Sequence, residues 1–124
     1  MPPLSIEILN NDPFIYPLRI RKGYNLECEV VVYDDDGVEF DFTDWDVVLQ
    51  AKIRKEFVDD APVIDLGIGT GITVTGGTLA IIIESAVTAE ATWKTAEYEL
   101  AITKDGDRYA VSAGPVTLVP GVVT

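Results

Sequence analysis

The chain has 124 residues, 48% of them hydrophobic, and its 21 acidic against 9 basic residues give a formal charge of −12. That apolar content supports one packed domain and excludes a disordered chain, while the acidic balance excludes ordinary binding to nucleic-acid phosphates or anionic membranes. With no histidine and 1 cysteine, serine–histidine triads, histidine–cysteine zinc sites and disulfide frameworks are excluded as well.

The dominant hydrophobic period is two, the signature of strands with one wet face. Met1 to Ser5 lacks a basic region and a long apolar run, so no signal peptide is expected. Leu4, Ile6 and Ile8 alternate with Ser5 and Glu7. Residues 1–22 are read as an N-terminal strand or arm, followed by a single domain over 23–124. The stretch Asn10 to Pro17 mixes turn formers with Phe14, Ile15 and Tyr16, and reads either as a connector or as an arm that docks on a partner. Leu26, Cys28, Val30 and Val32 share one strand face, which makes Cys28 a buried structural thiol.

Asp34-Asp35-Asp36-Gly37 and Lys104-Asp105-Gly106-Asp107 each place Asp-Gly between two strand patterns, a hairpin signal. Val38, Phe40 and Phe42 then alternate with acids, as do Val47, Leu49, Ala51 and Ile53 with polar residues. Glycines 67, 69, 71, 76 and 77 punctuate the middle. Leu79 to Ile83 is apolar on both faces and suits a central strand, but is far shorter than the ~20 residues that span a bilayer. Ser85 to Trp93 predicts one short helical turn near 86–93, with Thr88 as N-cap and Glu90 in its first turn. Tyr98, Leu100 and Ile102 continue the two-residue period. The expected fold is all-β, an antiparallel immunoglobulin-like β-sandwich of about eight strands.

Candidate chemistry is sparse. The carboxylates alternate outward or cluster at turns, where water keeps them ionised, unlike a glycosidase acid–base pair. Asp34, Asp36 and Glu39 are weak metal candidates, because consecutive aspartates point in different directions and no closing glutamate follows. Gly67 to Gly71 lacks the following helix of a phosphate cradle. Trp45, Trp93 and Tyr98 read as core plugs or, alternatively, as a sugar platform. No cofactor and no catalytic residue is expected, and the chain reads as a non-enzyme.

Charge is unevenly spread. Between Lys22 and Lys52 lie Glu27, Glu29, Asp34, Asp35, Asp36, Glu39, Asp41, Asp44 and Asp46 with no basic residue, while Arg19, Arg21, Lys22, Lys52, Arg54 and Lys55 sit just outside. This is either a solvated acidic hairpin or one pole of a molecule whose acids meet a basic patch on a neighbouring subunit. The partner-binding candidates are therefore Phe14, Ile15, Tyr16, Arg19, Arg21, Asp34, Asp35 and Asp36.

The order of several short motifs resembles a group of small bacteriophage structural domains related to the N-terminal domain of phage baseplate upper proteins. The carrying residues are Asp36-Gly37, Phe40-Asp41-Phe42-Thr43-Asp44-Trp45 and Gln50-Ala51-Lys52-Ile53-Arg54. They continue with Gly71-Ile72-Thr73, Ser85-Ala86-Val87-Thr88-Ala89, Tyr98-Glu99-Leu100, Asp105-Gly106, Gly114-Pro115-Val116 and Val123-Thr124. Glu99 stands where the pattern has Asp, and residues 1–22 have no counterpart. The resemblance implies an immunoglobulin-like sandwich and a docking role in the virion: a tail, baseplate or fibre-attachment adaptor, made in the host cytoplasm and assembled as a homo-oligomer with other virion proteins. Capsid decoration is the alternative within that class. An acidic DNA-mimic decoy of a host nuclease, or a carbohydrate-binding module using Trp45 or Trp93, is the alternative from outside it.

Overall fold

Strands with one apolar face must bury that face together, and in this chain a single sheet does so by curling on itself. The computed structural model describes residues 4–7, 14–34, 36–53 and 61–121. Its strands are β1 (Leu4–Glu7), β2 (Phe14–Ile15), β3 (Leu18–Arg21), β4 (Leu26–Tyr33), β5 (Asp46–Lys52), β6 (Ile64–Ile68), β7 (Gly71–Thr75), β8 (Thr78–Ile83), β9 (Thr95–Lys104) and β10 (Asp107–Val119). One short helix, α1 (Ser85–Ala89), follows β8. The path through the sheet is β1-β4-β8-β7-β6-β5-β9-β10-β2, with β3 on β10 beyond β2. Because β3, on the β10 side of this path, turns directly into β4, next to its other end, the sheet is nearly closed into a barrel.

The inward faces form one core. Ile20, Val32, Val47, Leu49, Ile64, Ile72, Leu79, Ile83, Leu100, Ile102, Val111 and Val116 are its most deeply buried members. Between Leu18, Cys28, Val30, Leu49, Ile81, Tyr98, Leu100 and Ser112 an internal hollow of only about 20 Å³ remains. That is space for a single water, so among the described residues side chains fill this part of the interior.

The all-β expectation stands, but the sheet is mixed rather than antiparallel. β1 runs parallel to β4, β2 and β3 run parallel to β10, and β6 runs parallel to β7. The N-terminal strands join the edges of strands remote in sequence, so no hairpin fixes their direction, while β6 and β7 pair in parallel over only two residues across a short turn. In place of two packed sheets there is one continuous hydrogen-bonded path.

The Asp105-Gly106 hairpin forms as expected, joining β9 to β10 with φ of 52° at Asp105 and 87° at Gly106. Positive φ at both central residues gives a turn whose twist matches that of the flanking strands. Further along β10 the register with β9 shifts between Ala110 and Ser112. This β-bulge lets two successive residues, Val111 and Ser112, both face inward.

Other local expectations are corrected. Val38 to Phe42 is not a strand: Glu39 alone bridges to Tyr33, and Val38 is 61% exposed. The chain turns again at Trp45, whose N–H donates to the Phe42 carbonyl, with Asp44 in a left-handed conformation (φ 66°). Phe42 still reaches the core. Ile53 is 52% exposed because the ladders of β5 end before it, at Lys52.

The helix spans Ser85–Ala89 rather than 86–93, and Glu84 occupies the N-cap position without a side-chain cap bond. Its first N–H, from Ser85, donates instead to Asn25 Oδ1 at 2.7 Å. Thr88 does not cap the helix. It is fully buried, and its Oγ1 accepts the Gly23 N–H at 3.0 Å, so α1 and the β3–β4 turn are stapled twice. Thr88→Val preserves shape but removes that acceptor. It is expected to cost about 1–3 kcal/mol, the penalty for stranding a partly buried donor, read as a lowered urea midpoint.

Candidate functional site

β4 is eight residues long, so the segments before and after it lie about 26 Å apart, at opposite ends of the barrel. The end after β4 is acidic. Asp34 Oδ1 accepts the N–H groups of Asp36 and Val38, both at 3.0 Å, while the Asp34 N–H donates to the Val38 carbonyl at 2.8 Å. The Asp34 carboxylate therefore organises the turn that the sequence predicts at Asp-Gly, leaving Asp36, Val38 and Glu39 exposed at its tip. In the adjacent loop Asp41 accepts from Thr43 Oγ1 at 2.6 Å and from its N–H at 3.0 Å. These two bonds, with a smaller contribution from Lys104, hold the Asp41 carboxyl below its ordinary range. Beneath the acids sits an aromatic pad. Phe40 meets Phe42 and Trp45 edge-on at centroid distances of 4.8 and 5.4 Å, Tyr109 lies 5.9 Å from Trp45, and Lys104 Nζ stands 5.9 Å from the Trp45 ring centre. Trp45 is thus packed into the wall of this end.

The other end carries the turn before β4 and the segments flanking α1 and β10. Here Trp93, Leu118 and Pro120, with Lys22 and Lys94, line a hollow of about 240 Å³. Backbone bonds set its walls: Lys22 N–H to the Val119 carbonyl and Leu118 N–H to the Lys94 carbonyl, both 2.8 Å. Beside it the Arg21 guanidinium lies 5.9 Å from the centre of the Tyr24 ring.

The N-terminal strands are locked to β10 between these ends. The Tyr98 hydroxyl donates to the Tyr16 carbonyl at 2.7 Å and shares a hydrogen bond with Ser112 Oγ, also at 2.7 Å. Gly114 lies so close to Tyr16 that a Cβ there would be 2.7 Å from the Tyr16 carbonyl oxygen. This crossing points Ile15 outward, 65% exposed, and half-buries Tyr16. Arg19 and Arg21 are the exposed residues of β3, alternating with buried Leu18 and Ile20.

The outer face of β5 and β9 forms two further polar hollows, of about 240 and 300 Å³, around Gln50 and Glu99. Gln50 Nε2 donates to Asp65 Oδ1 at 3.2 Å across the β5–β6 pair.

Of the partner-binding candidates, Ile15, Tyr16, Arg19 and Arg21 fall together on the strands that edge β10, whereas Asp34 and Asp36 fall at the acidic end. The backbone of Phe14 pairs with Ser112, and Asp35 lies outside the described residues. Asp34, Asp36 and Glu39 share one turn, but no group of three or more potential ligands gathers for a metal among the described residues. The hollow at Trp93 was visible in the sequence only as a lone tryptophan, since its other walls come from distant segments.

Burial pushes the Cys28 thiol up from its ordinary value, and burial likewise raises the Tyr98 phenol, outweighing the Ser112 hydrogen bond. Both groups are neutral when protonated, so the unfolded chain ionises first as pH rises. Stability is fully present below the unfolded pKa values, roughly 8.5 for Cys and 10 for Tyr, and falls above them. Thermal melts are expected to be flat from neutral pH to about pH 8 and to drop progressively beyond, with Cys28→Ala removing the earlier part of the drop.

No protein-family model matches the sequence, and no curated protein matches it closely. Among solved structures the chain is similar to the N-terminal domain of phage TP901-1 ORF48. The two align over 96% of this chain and 99% of that one, with a TM-score of 0.51 and 11% identical residues. At that identity the likeness is one of fold.

Proposed function

We propose that this chain is a bacteriophage virion structural protein, an adaptor of the tail, baseplate or fibre-attachment region that docks on other virion proteins in multiple copies. The observation that carries the reading is the fold, which the chain shares along nearly its whole length with an N-terminal domain of a phage protein. The motif order that resembles phage baseplate upper domains supports it from the sequence alone. A barrel with differently charged ends and an interior hollow of only about 20 Å³ suits a docking role. Modest contacts repeated by particle symmetry then add up to a stable assembly.

Capsid decoration would use the same features, and copy number separates the two. Quantitative mass spectrometry of purified virions, with copies counted against the portal protein, is expected to find the chain at a fixed ratio. Multiples of three or six place it in the tail and tens to hundreds on the capsid. Absence from particles alongside abundance in infected cells would overturn the reading in favour of a soluble decoy.

A further inference from the structure

We infer that the hollow at Trp93 is the socket for the acidic turn of a second copy of this chain, which makes the domain self-complementary from end to end. The inference rests on the proposed many-copy role and names one contact within it. The socket is lined by the apolar residues Trp93, Leu118 and Pro120 and bordered by two exposed lysines, Lys22 and Lys94. It therefore calls for an apolar side chain flanked by carboxylates. The chain carries such a group: Val38, 61% exposed, stands at the tip of a turn beside the carboxylates of Asp36 and Glu39. Asp34 Oδ1 accepts the N–H groups of both Asp36 and Val38, which fixes these two residues relative to it before contact.

Tip and socket lie at opposite ends of β4, so no molecule can fill its own socket. The contact is heterologous, and it generates a ring if its rotation closes and a filament if it does not.

Two copies at −12 repel over long range while this contact attracts over short range, so salt alone does not isolate it. The experiment is sedimentation velocity of the full chain at about 0.15 M salt, where the Debye length is about 8 Å. The average mass of the unaltered chain is expected to rise with concentration up to about 1 mM, in the range where weak contacts register. Lys94→Glu and Val38→Glu, both exposed substitutions whose folding is checked by circular dichroism, are each expected to weaken self-association at least about tenfold. An equimolar mixture of the two brings together one intact tip and one intact socket, so it is expected to form a 1:1 dimer and nothing larger. The inference is overturned if the unaltered chain stays monomeric, if either variant assembles like the parent, or if the mixture fails to pair. None of these outcomes bears on the virion reading, which the particle count tests separately.

Discussion

Gly114→Ala is expected to unseat β2 and β3 from the edge of β10. The added Cβ would stand 2.7 Å from the Tyr16 carbonyl oxygen and 3.0 Å from its carbon, contacts with backbone that no rotamer change relieves. One of the two chains must move. β10 is held along most of its length by β9, whereas β2 and β3 have β10 as their ladder partner, so the N-terminal strands give way. Overpacking of this kind costs about 1–3 kcal/mol or more. Amide exchange is the discriminating readout. Protection at Ile20 and at Lys22, whose N–H bonds Val119, is expected to fall while protection in β5 and β9 persists. Tyr98→Phe is the companion variant. It removes the hydroxyl that bonds the Tyr16 carbonyl and Ser112 Oγ, at about 1–3 kcal/mol, without pushing the strands apart, so protection along β3 is retained. Gly114→Ala with undiminished protection along β3 would contradict the crossing described here.

Ile102→Ala is expected to be the most damaging simple truncation, at about 2–5 kcal/mol. Ile102 is fully buried on β9, between Val47 of β5 and Tyr109 of β10 in register. Its removal leaves a cavity in the core towards the acidic end, where strands paired on both sides cannot collapse to fill it. Against a total stability of about 5–15 kcal/mol, typical for such a domain, the loss brings the chain close to unfolding at ordinary temperature. Ile82→Ala on the outer face, where the side chain is 39% exposed, is the control and is expected to change the urea midpoint far less.

The parts legible in the sequence are those where side-chain alternation and turn chemistry act locally. β5 and β9 bury the faces the period of two assigns, β4 buries Val30 and Val32 but leaves Leu26 and Cys28 half-buried, and the Asp105-Gly106 hairpin sits where its dihedral demands place it. Leu79 to Ile83 does occupy an interior place in the sheet, between β4 and β7, although Ile82 on its outer face stays partly wet. What was hidden depends on distant segments. The bulge after Ala110 breaks the period, so the inward pair Val111–Ser112 looks like a lapse in the pattern. Val38 to Phe42 alternates as a strand does, but beyond the single bridge at Glu39 it has no ladder. Thr88 reads as a helix cap by local preference, and only the tertiary fold brings Gly23 to its hydroxyl. The same holds for the candidate sites: the acidic turn is contiguous and could be seen, whereas the socket gathers Lys22, Trp93, Lys94, Leu118 and Pro120 from three separate stretches.

The pairing of β3 with the far end of β10 also sets an order of events in folding. Leu18 aligns with Val116 and Arg21 with Val119, so strands formed early in synthesis wait for almost the whole chain before their partner exists. At about 5–20 residues per second, the interval is several seconds or more. The local hairpin of β9 and β10 closes quickly once made, whereas the barrel seam requires the longest loop in the molecule to close, the slow class of contact. Until then β10 presents an open edge, and a β2–β3 segment from a neighbouring chain can take the vacant place. At high local concentration strand exchange at this seam would compete with correct closure, so the Tyr98 and Gly114 crossing doubles as the step that commits each chain to itself.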